Sequence, residues 1–513
     1  MSHHTLKKRK KLPEQAPGLN NGHDIIYVTF NKISLIVFLA LLGVAGFAIA
    51  EEVPGVEAAA AIEKTLVDVI ARTEKSVVAI ARVRKEQPGE TFRLEIRPDP
   101  FGRQLILPSA PQPTDPDFIP NEYGTGVVID RRGLILTAYH VLGEESEYYV
   151  TTSDRKVYKA LPKAADPRSD LAVLAVEADD LTPITFGNAA ELKKGQIVIS
   201  LGNPYAIARD GQASAGWGIV SNFDRKARAT PSESDFAGKS TLHHFGTLIQ
   251  TDAKLNLGTS GGPLLNLKGE MIGLSVALAA AAGYETAAGY AIPVDKTFRR
   301  VVETLKQGRE VEYGFLGIQP ANLTVQEVLK GMHGIRVAQT VPGTPAAKFD
   351  LKKDDIITAV DDTPIHDADS LVLNVGRLPV EAIAHLSVIR DGRPRTIEVK
   401  LAKYAVRGKK IITAPEPLWR GMRVEYLTAM LGNEMPTGGG ISLAGEGVVV
   451  AEVAENSPAS RAGLHPGMIV THVGRTVVNT PKEFRAAVDG AVGPVDLRIT
   501  DDKNNPVRTV EAD

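Results

Sequence analysis

The sequence predicts a mainly β protein of several domains, and three observations carry that prediction. Apolar residues come in short β-branched runs separated by turn residues, with 47 glycines and 32 prolines in 513 residues. Such punctuation suits many short strands better than long helices. A pattern near the end, Pro345–Ile357, recurs 113 residues later as Pro458–Val470, so the C-terminal third holds two copies of one small module. The length itself exceeds one compact core, and ordinary domain sizes give roughly three or four domains.

Composition removes several classes. With 43% hydrophobic and 23% charged residues, the chain is neither disordered, collagenous nor a polytopic membrane protein. Its 59 basic side chains against 61 acidic ones leave a net charge of −2, which argues against a general affinity for nucleic acid. The absence of cysteine removes disulfides, thiolate metal sites and a cysteine nucleophile. No metal and no cofactor are expected; His3-His4 in a mobile tail and His243-His244 in a loop near the active-site face are not assigned as ligands.

In chain order, residues 1–32 form a basic tail, with Lys7, Lys8, Arg9, Lys10 and Lys11 in one run and Lys32 at its end. Residues 33–50 are uncharged. As a helix they would span about 27 Å, close to a bilayer's hydrocarbon core. The preceding positive charges put the tail in the cytoplasm and everything after Glu51 outside. Ala48-Ile49-Ala50 also resembles a signal-peptidase site, so two readings stand: an uncleaved membrane anchor, favoured by the length of the apolar stretch, and a signal cleaved between Ala50 and Glu51. An Ala/Glu-rich linker covers 51–65.

Residues 66–306 read as one β-rich domain. Val77–Ile80 is a strand. Gly126–Ile129 and Leu134–Leu136 form a hairpin across Asp130-Arg131-Arg132-Gly133. Between them lies an insert with eight prolines from Pro88 to Pro120, too many for a central strand, so it is a long exposed loop. Lys296–Lys306 reads as a closing helix. The two modules follow at 312–404 and 415–513. Each has a β-rich run (Ile335–Val341; Val448–Val453), the repeated pattern, a helical stretch and a closing hairpin. In the first copy Asp391-Gly392 joins Leu386–Arg390 to Thr396–Leu401 as a two-residue turn.

Three segments of the larger domain place nucleophile-type chemistry in apolar surroundings: Thr137-Ala138-Tyr139-His140-Val141, Arg168-Ser169-Asp170 before the strand-like Leu171–Leu174, and Gly258-Thr259-Ser260-Gly261-Gly262-Pro263. The order His140, Asp170, Ser260 is that of the chymotrypsin arrangement. Serine needs an adjacent base, imidazole has a suitable pKa, and a carboxylate behind it fixes the tautomer. Glycines around Ser260 let the N–H groups of Gly258 and Ser260 converge where the oxyanion of a tetrahedral intermediate would sit.

With these motifs the chain resembles the HtrA/Deg family of extracytoplasmic serine proteases. The resemblance runs from about Leu66 to the C-terminus. It rests on Gly124-Thr125-Gly126, Thr137–Val141, Asp166–Val173, Gly202-Asn203-Pro204, Ile249–Asp252 and Gly258–Pro263. It implies a chymotrypsin-like double β-barrel protease domain followed by two α+β PDZ domains, usually as a homotrimer or multiples of it. His140, Asp170 and Ser260 are then the catalytic triad of an ATP-independent endopeptidase acting on unfolded or damaged envelope proteins. The alternative is a chaperone or scaffold with weak or conditional proteolysis.

Some positions depart from the family pattern. Tyr139 is bulkier than usual; strand alternation would point it away from His140. Thr259 stands for asparagine and Leu257 for proline, which bears on whether the oxyanion loop is preformed. Lys254 and Leu255 fall where the specificity pocket is built, and Leu255 suggests small or medium apolar side chains, with Lys254 turned to solvent as the alternative. Phe315-Leu316-Gly317-Ile318 resembles a PDZ carboxylate-binding loop for substrate C-termini. The second module offers Gly421-Met422-Arg423-Val424, with Arg423 in the glycine's place. Asp350 replaces the glycine of the second copy, Gly463, at a turn needing a left-handed residue.

Overall fold

The computed structural model describes residues 55–84, 97–98, 104–105, 122–203, 211–226, 240–276, 288–431, 446–500 and 506–512. The basic tail, the apolar segment 33–50 and most of the proline-rich insert lie outside them. Among the described residues no helix is long and apolar enough to cross a membrane. The architecture below concerns the unit Glu63–Asp513.

Helix α1 (Val56–Thr73) runs into the first strand, with Val69 fully buried. Six strands follow: β1 (Val77–Arg84), β2 (Glu122–Asp130), β3 (Leu134–Ala138), β4 (Ser146–Thr151), β5 (Val157–Asp166) and β6 (Leu171–Val176). They pair in the order β5-β4-β1-β2-β3-β6, and β5 also pairs with β6, which closes the barrel. The expected hairpin is present: Val127 faces Leu136 and Val128 faces Ile135, across a turn in which Gly133 has φ +92°.

A second closed barrel is built from β7 (Ile197–Gly202), β8 (Ser214–Arg225), β9 (Leu248–Thr251), β10 (Pro263–Leu265), β11 (Met271–Val276) and β12 (Gly289–Pro293), in the order β8-β9-β12-β11-β10-β7. Closure leaves no free strand edge, so short strands suffice. Both barrels bury large aliphatic side chains: Ile135, Leu136 and Leu174 of the first and Ile199 and Leu264 of the second are fully buried, each worth roughly 1.5–3 kcal/mol of burial. Helix α2 (Lys296–Lys306) is capped by Asp295, whose side chain accepts from the Phe298 amide at 2.8 Å. Its apolar stripe Phe298, Val301, Val302 and Leu305 joins the core that contains the first barrel.

The two C-terminal modules share one topology. The first has β13 (Gly314–Phe315), β14 (Ile318–Ala321), β15 (Ile335–Thr340), β16 (Ile356–Val360), helix α3 (Ala368–Arg377), β17 (Ile383–Arg390), β18 (Arg393–Lys400) and β19 (Ala402–Lys403). After a linker strand, β20 (Ile411–Ile412), the second has β21 (Met422–Tyr426), β22 (Val448–Val453), β23 (Ile469–Val473), helix α4 (Pro481–Val488), β24 (Val495–Ile499) and β25 (Val507–Val510). The sheet orders β14-β15-β16-β17-β18 and β21-β22-β23-β24-β25 correspond strand for strand. The Asp391-Gly392 turn has positive φ at both residues, +50° and +73°, so the returning strand starts at Arg393 rather than Thr396. Asp350 (φ +61°) adopts the left-handed conformation that Gly463 (φ +77°) holds in the other copy.

Hydrogen bonds correct the alignment of the second carboxylate-loop segment. In the first module the Val341 amide donates to Gly317 O and the Ala346 amide to Leu316 O; in the second, Ala454 donates to Gly421 O and Ala459 to Arg420 O. Gly317 and Gly421 have φ +84° and +81°, and a Cβ on either would collide with Thr344 or Ser457. The loop glycine is therefore Gly421, within Trp419-Arg420-Gly421-Met422, and Arg423 lies on β21. One pairing was not anticipated: β20, between the modules, adds to the first barrel, with Ile411 opposite Ala165 and Ile412 opposite Ala164.

Candidate active site

His140 follows β3 on a single 3₁₀ turn, Tyr139–Val141. The chain has left the strand there, so alternation does not apply, and Tyr139 and His140 line the same cavity of about 330 Å³ together with Asp170, His243 and Arg407. Tyr139 is held by its hydroxyl, which donates to Lys409 O at 3.0 Å.

Asp170 stands at the head of β6 and is 5% exposed. Its Oδ2 lies 2.8 Å from His140 Nδ1, and its Oδ1 accepts the His140 amide at 3.0 Å. One carboxylate thus fixes both the ring and the backbone of the histidine, leaving Nε2 as the basic nitrogen. Burial pushes the His140 imidazolium down, but the Asp170 charge and hydrogen bond more than restore it, so the ring ends above its ordinary pKa. Burial likewise raises the Asp170 carboxyl, and His140 pulls it below the usual carboxylate value. Asp170 has φ +56°, a conformation a non-glycine residue keeps only when its surroundings impose it.

Ser260 is 6% exposed and sits just before β10. Its loop is clamped against the first barrel by Thr125. The Thr125 hydroxyl donates to Gly258 O at 2.7 Å and accepts from the Asn203 amide at 2.8 Å, while its own amide donates to Ser260 O at 2.9 Å. Gly258 and Gly261 have φ +92° and +87°. A Cβ at Gly261 would lie 2.1 Å from Thr125 O and 2.4 Å from the Thr137 hydroxyl, so the residue after Ser260 abuts the strand that leads into His140. Among the described residues nothing accepts from the Gly258 amide. Thr259 folds back instead, its hydroxyl donating to Asn256 O at 2.7 Å.

Lys254 is exposed and Leu255 half-buried. Leu255 lies against Gly289 of β12, whose added Cβ would sit 2.7 Å from it. In the first module Phe315 pairs with Ala402, and the Leu316 and Gly317 amides donate to nothing among the described residues. In the second, the Met422 amide is taken by Trp419 O at 2.8 Å.

Sequence reasoning missed Thr125 as a clamp, although its Gly-Thr-Gly setting marked a close approach of backbone. It also took His243 for a loop residue. The ring is 3% exposed, with Nδ1 3.0 Å from the Thr247 hydroxyl and Nε2 3.0 Å from Ser169 O. Burial holds its pKa down at about 4, so it is neutral near pH 7. Nothing in the local sequence signals this burial, because the covering residues come from distant segments.

Comparison with known proteins agrees with this architecture. Residues 124–274 match the trypsin-like peptidase domain family and residues 314–401 the PDZ domain family. The chain is 33% identical over 395 residues to a probable periplasmic serine endoprotease DegP-like of Pseudomonas fluorescens, covering 75% of this chain and 78% of that one. It is 31% identical over 445 residues to the protein of that description in Hahella chejuensis, covering 82% and 87%, and 29% identical over 415 residues to that of Chlamydia trachomatis, covering 80% and 77%. Among solved structures, the HtrA-type protease AlgW with decapeptide aligns with TM-score 0.48 and 23% identity, covering 66% of this chain and 98% of AlgW. The chain belongs to the DegP-like serine endoproteases, a trypsin-like peptidase domain followed by PDZ modules.

Proposed function

We propose that this serine endopeptidase cleaves unfolded or damaged extracytoplasmic proteins, without ATP, through His140, Asp170 and Ser260. Ser260 Oγ attacks the peptide carbonyl as His140 Nε2 takes its proton. His140 returns that proton to the leaving amine, and water then hydrolyses the acyl-enzyme by the same route. The Gly258 and Ser260 amides receive the oxyanion, each such donor being worth roughly 3–4 kcal/mol. The observation that carries this reading is the doubly bonded His140–Asp170 pair.

Leu255 suits an apolar primary pocket, and the Leu316 and Gly317 amides suit capture of a substrate's C-terminal carboxylate. The relatives are described as periplasmic, which fits export through residues 33–50. N-terminal sequencing of the mature protein separates an anchor from cleavage before Glu51. A homotrimer is the assembly proposed, checked by light scattering.

The decisive experiment is labelling with a serine-directed fluorophosphonate. Wild-type protein takes the label; Ser260→Ala takes none and loses about 10⁶ in turnover. Folded wild-type protein that stays unlabelled sinks the reading and leaves a chaperone.

A further inference from the structure

The turn Asp166–Asp170 that presents the candidate catalytic acid is almost wholly buried, with Asp166, Arg168, Ser169 and Asp170 all at or below 5% exposure. A single oxygen organises it. Asp166 Oδ2 accepts the Ser169 amide at 2.8 Å and the Ser169 hydroxyl at 2.6 Å. It also accepts the hydroxyl of Tyr313, which is fully buried and stands one residue before β13. Tyr313 is 147 residues away in sequence and belongs to the segment that leads into the first PDZ module. The far end of that module arrives at the same place. The Tyr404 amide donates to Tyr313 O at 2.8 Å, and the Tyr404 ring centroid lies 3.7 Å from the guanidinium carbon of Arg168. Tyr313 is 5.4 Å from that carbon. Among the described residues the Arg168 Nε and Nη1 have no hydrogen-bond acceptor, and two aromatic faces lie against the guanidinium.

We propose that Tyr313 is a positioning residue for the reaction, resting on the reading of Asp170 as the catalytic acid. Asp170 sits at positive φ, so its side chain aims at His140 only while the turn before it is held. Its own carbonyl is fixed by the Tyr139 amide at 2.9 Å and Ser169 O by His243. The third restraint, on Asp166, is completed from outside the barrel by the Tyr313 hydroxyl. Seating of the segment that leads into the module therefore sets the orientation of the Asp170 carboxylate. Full turnover requires that seating even for a short peptide that does not touch the module.

The test uses the full chain with a short chromogenic peptide, and turnover is normalised to fluorophosphonate-titrated sites. Tyr313→Phe keeps the ring on Arg168 and removes only the hydroxyl. It is expected to lower kcat per titrated site roughly three- to tenfold with KM unchanged. Ser169→Ala, which removes another donor to the same oxygen, should do likewise, and it reads the same restraint if Tyr313→Phe does not fold. The double variant should lose less than the product of the two. A merely structural role would lower the titratable fraction or the melting temperature and leave kcat per site intact. That outcome, with Asp170→Asn inactive alongside, overturns the proposal alone. Asp170→Asn with wild-type turnover overturns the reading of the acid and the proposal with it.

Discussion

The hydroxyl of Tyr139 donates to the main-chain carbonyl of Lys409 at 3.0 Å, tying the turn that carries His140 to the linker between the two C-terminal modules. Just beyond it, Ile411 and Ile412 extend the first barrel at β5. Arg407 and Gly408 of the linker thus line the cavity that His140 and Asp170 share, and the linker is no free tether. Tyr139→Phe removes one neutral hydrogen bond, about 1 kcal/mol, or roughly a fivefold rise in local opening. Amide exchange at Ile411 and Ile412 should quicken by that factor; unchanged exchange would mean that strand pairing alone holds the linker.

The pH dependence follows from the His140–Asp170 pair. In the proposed reaction His140 must be neutral to accept the Ser260 proton, and Asp170 raises the histidine's pKa above the ordinary imidazole value. Activity should therefore be absent on the acid side and appear as pH rises through that raised value. Asp170→Asn removes the charge and leaves burial to act alone, so the residual activity should rise at a lower pH. A limb in kcat/KM that stays in place would show that another group controls it.

Thr125 is expected to be worth more than a buried threonine usually is. Its hydroxyl satisfies both Gly258 O and the Asn203 amide. Thr125→Val keeps the shape and removes both hydrogen bonds, a cost of roughly 1–3 kcal/mol. Urea denaturation measures that cost, and the rate of fluorophosphonate labelling should fall with it because the Ser260 loop loses its clamp.

Lys403 is 3% exposed and meets Glu425 at 2.6 Å and both Glu310 and Glu312 at 3.1 Å. Lys403→Met leaves three carboxylates facing one another, with Lys410 still paired to Glu310. Losing one partner of a buried pair costs roughly 3–5 kcal/mol, and the partial exposure of the glutamates favours the low end. Without the cation, burial pushes the Glu310 and Glu312 carboxyls up, so the penalty is greatest near neutral pH. It shrinks as falling pH protonates the glutamates. Parallel melting curves for wild type and variant across the acid range would contradict this account.

Much of the architecture was legible because it is written in local periodicity. Val127-Val128 and Ile135-Leu136 lie in short unbroken apolar runs bounded by turn residues, and all four are fully buried. Asp391-Gly392 can close a two-residue turn because both residues accept positive φ. The recurrence of the Pro345 pattern at Pro458 revealed two copies of one module. Where the reasoning slipped, it relied on local geometry that the chain abandons: Tyr139 is on a turn, not a strand, and the second module's loop glycine is Gly421, as its φ and carbonyl partners show.

The sequence by itself determined the residue types proposed for the chemistry, their order along the chain, and the mainly β class of a trypsin-like domain with PDZ modules. Only the tertiary structure decided what surrounds them: His243 under Ser169, Thr125 across the Ser260 loop, Tyr313 on Asp166, and the linker strand against β5. Those contacts join residues tens to hundreds of positions apart. Burial and hydrogen-bond geometry at such sites depend on which surfaces meet, and no local pattern of apolar and polar residues encodes that meeting.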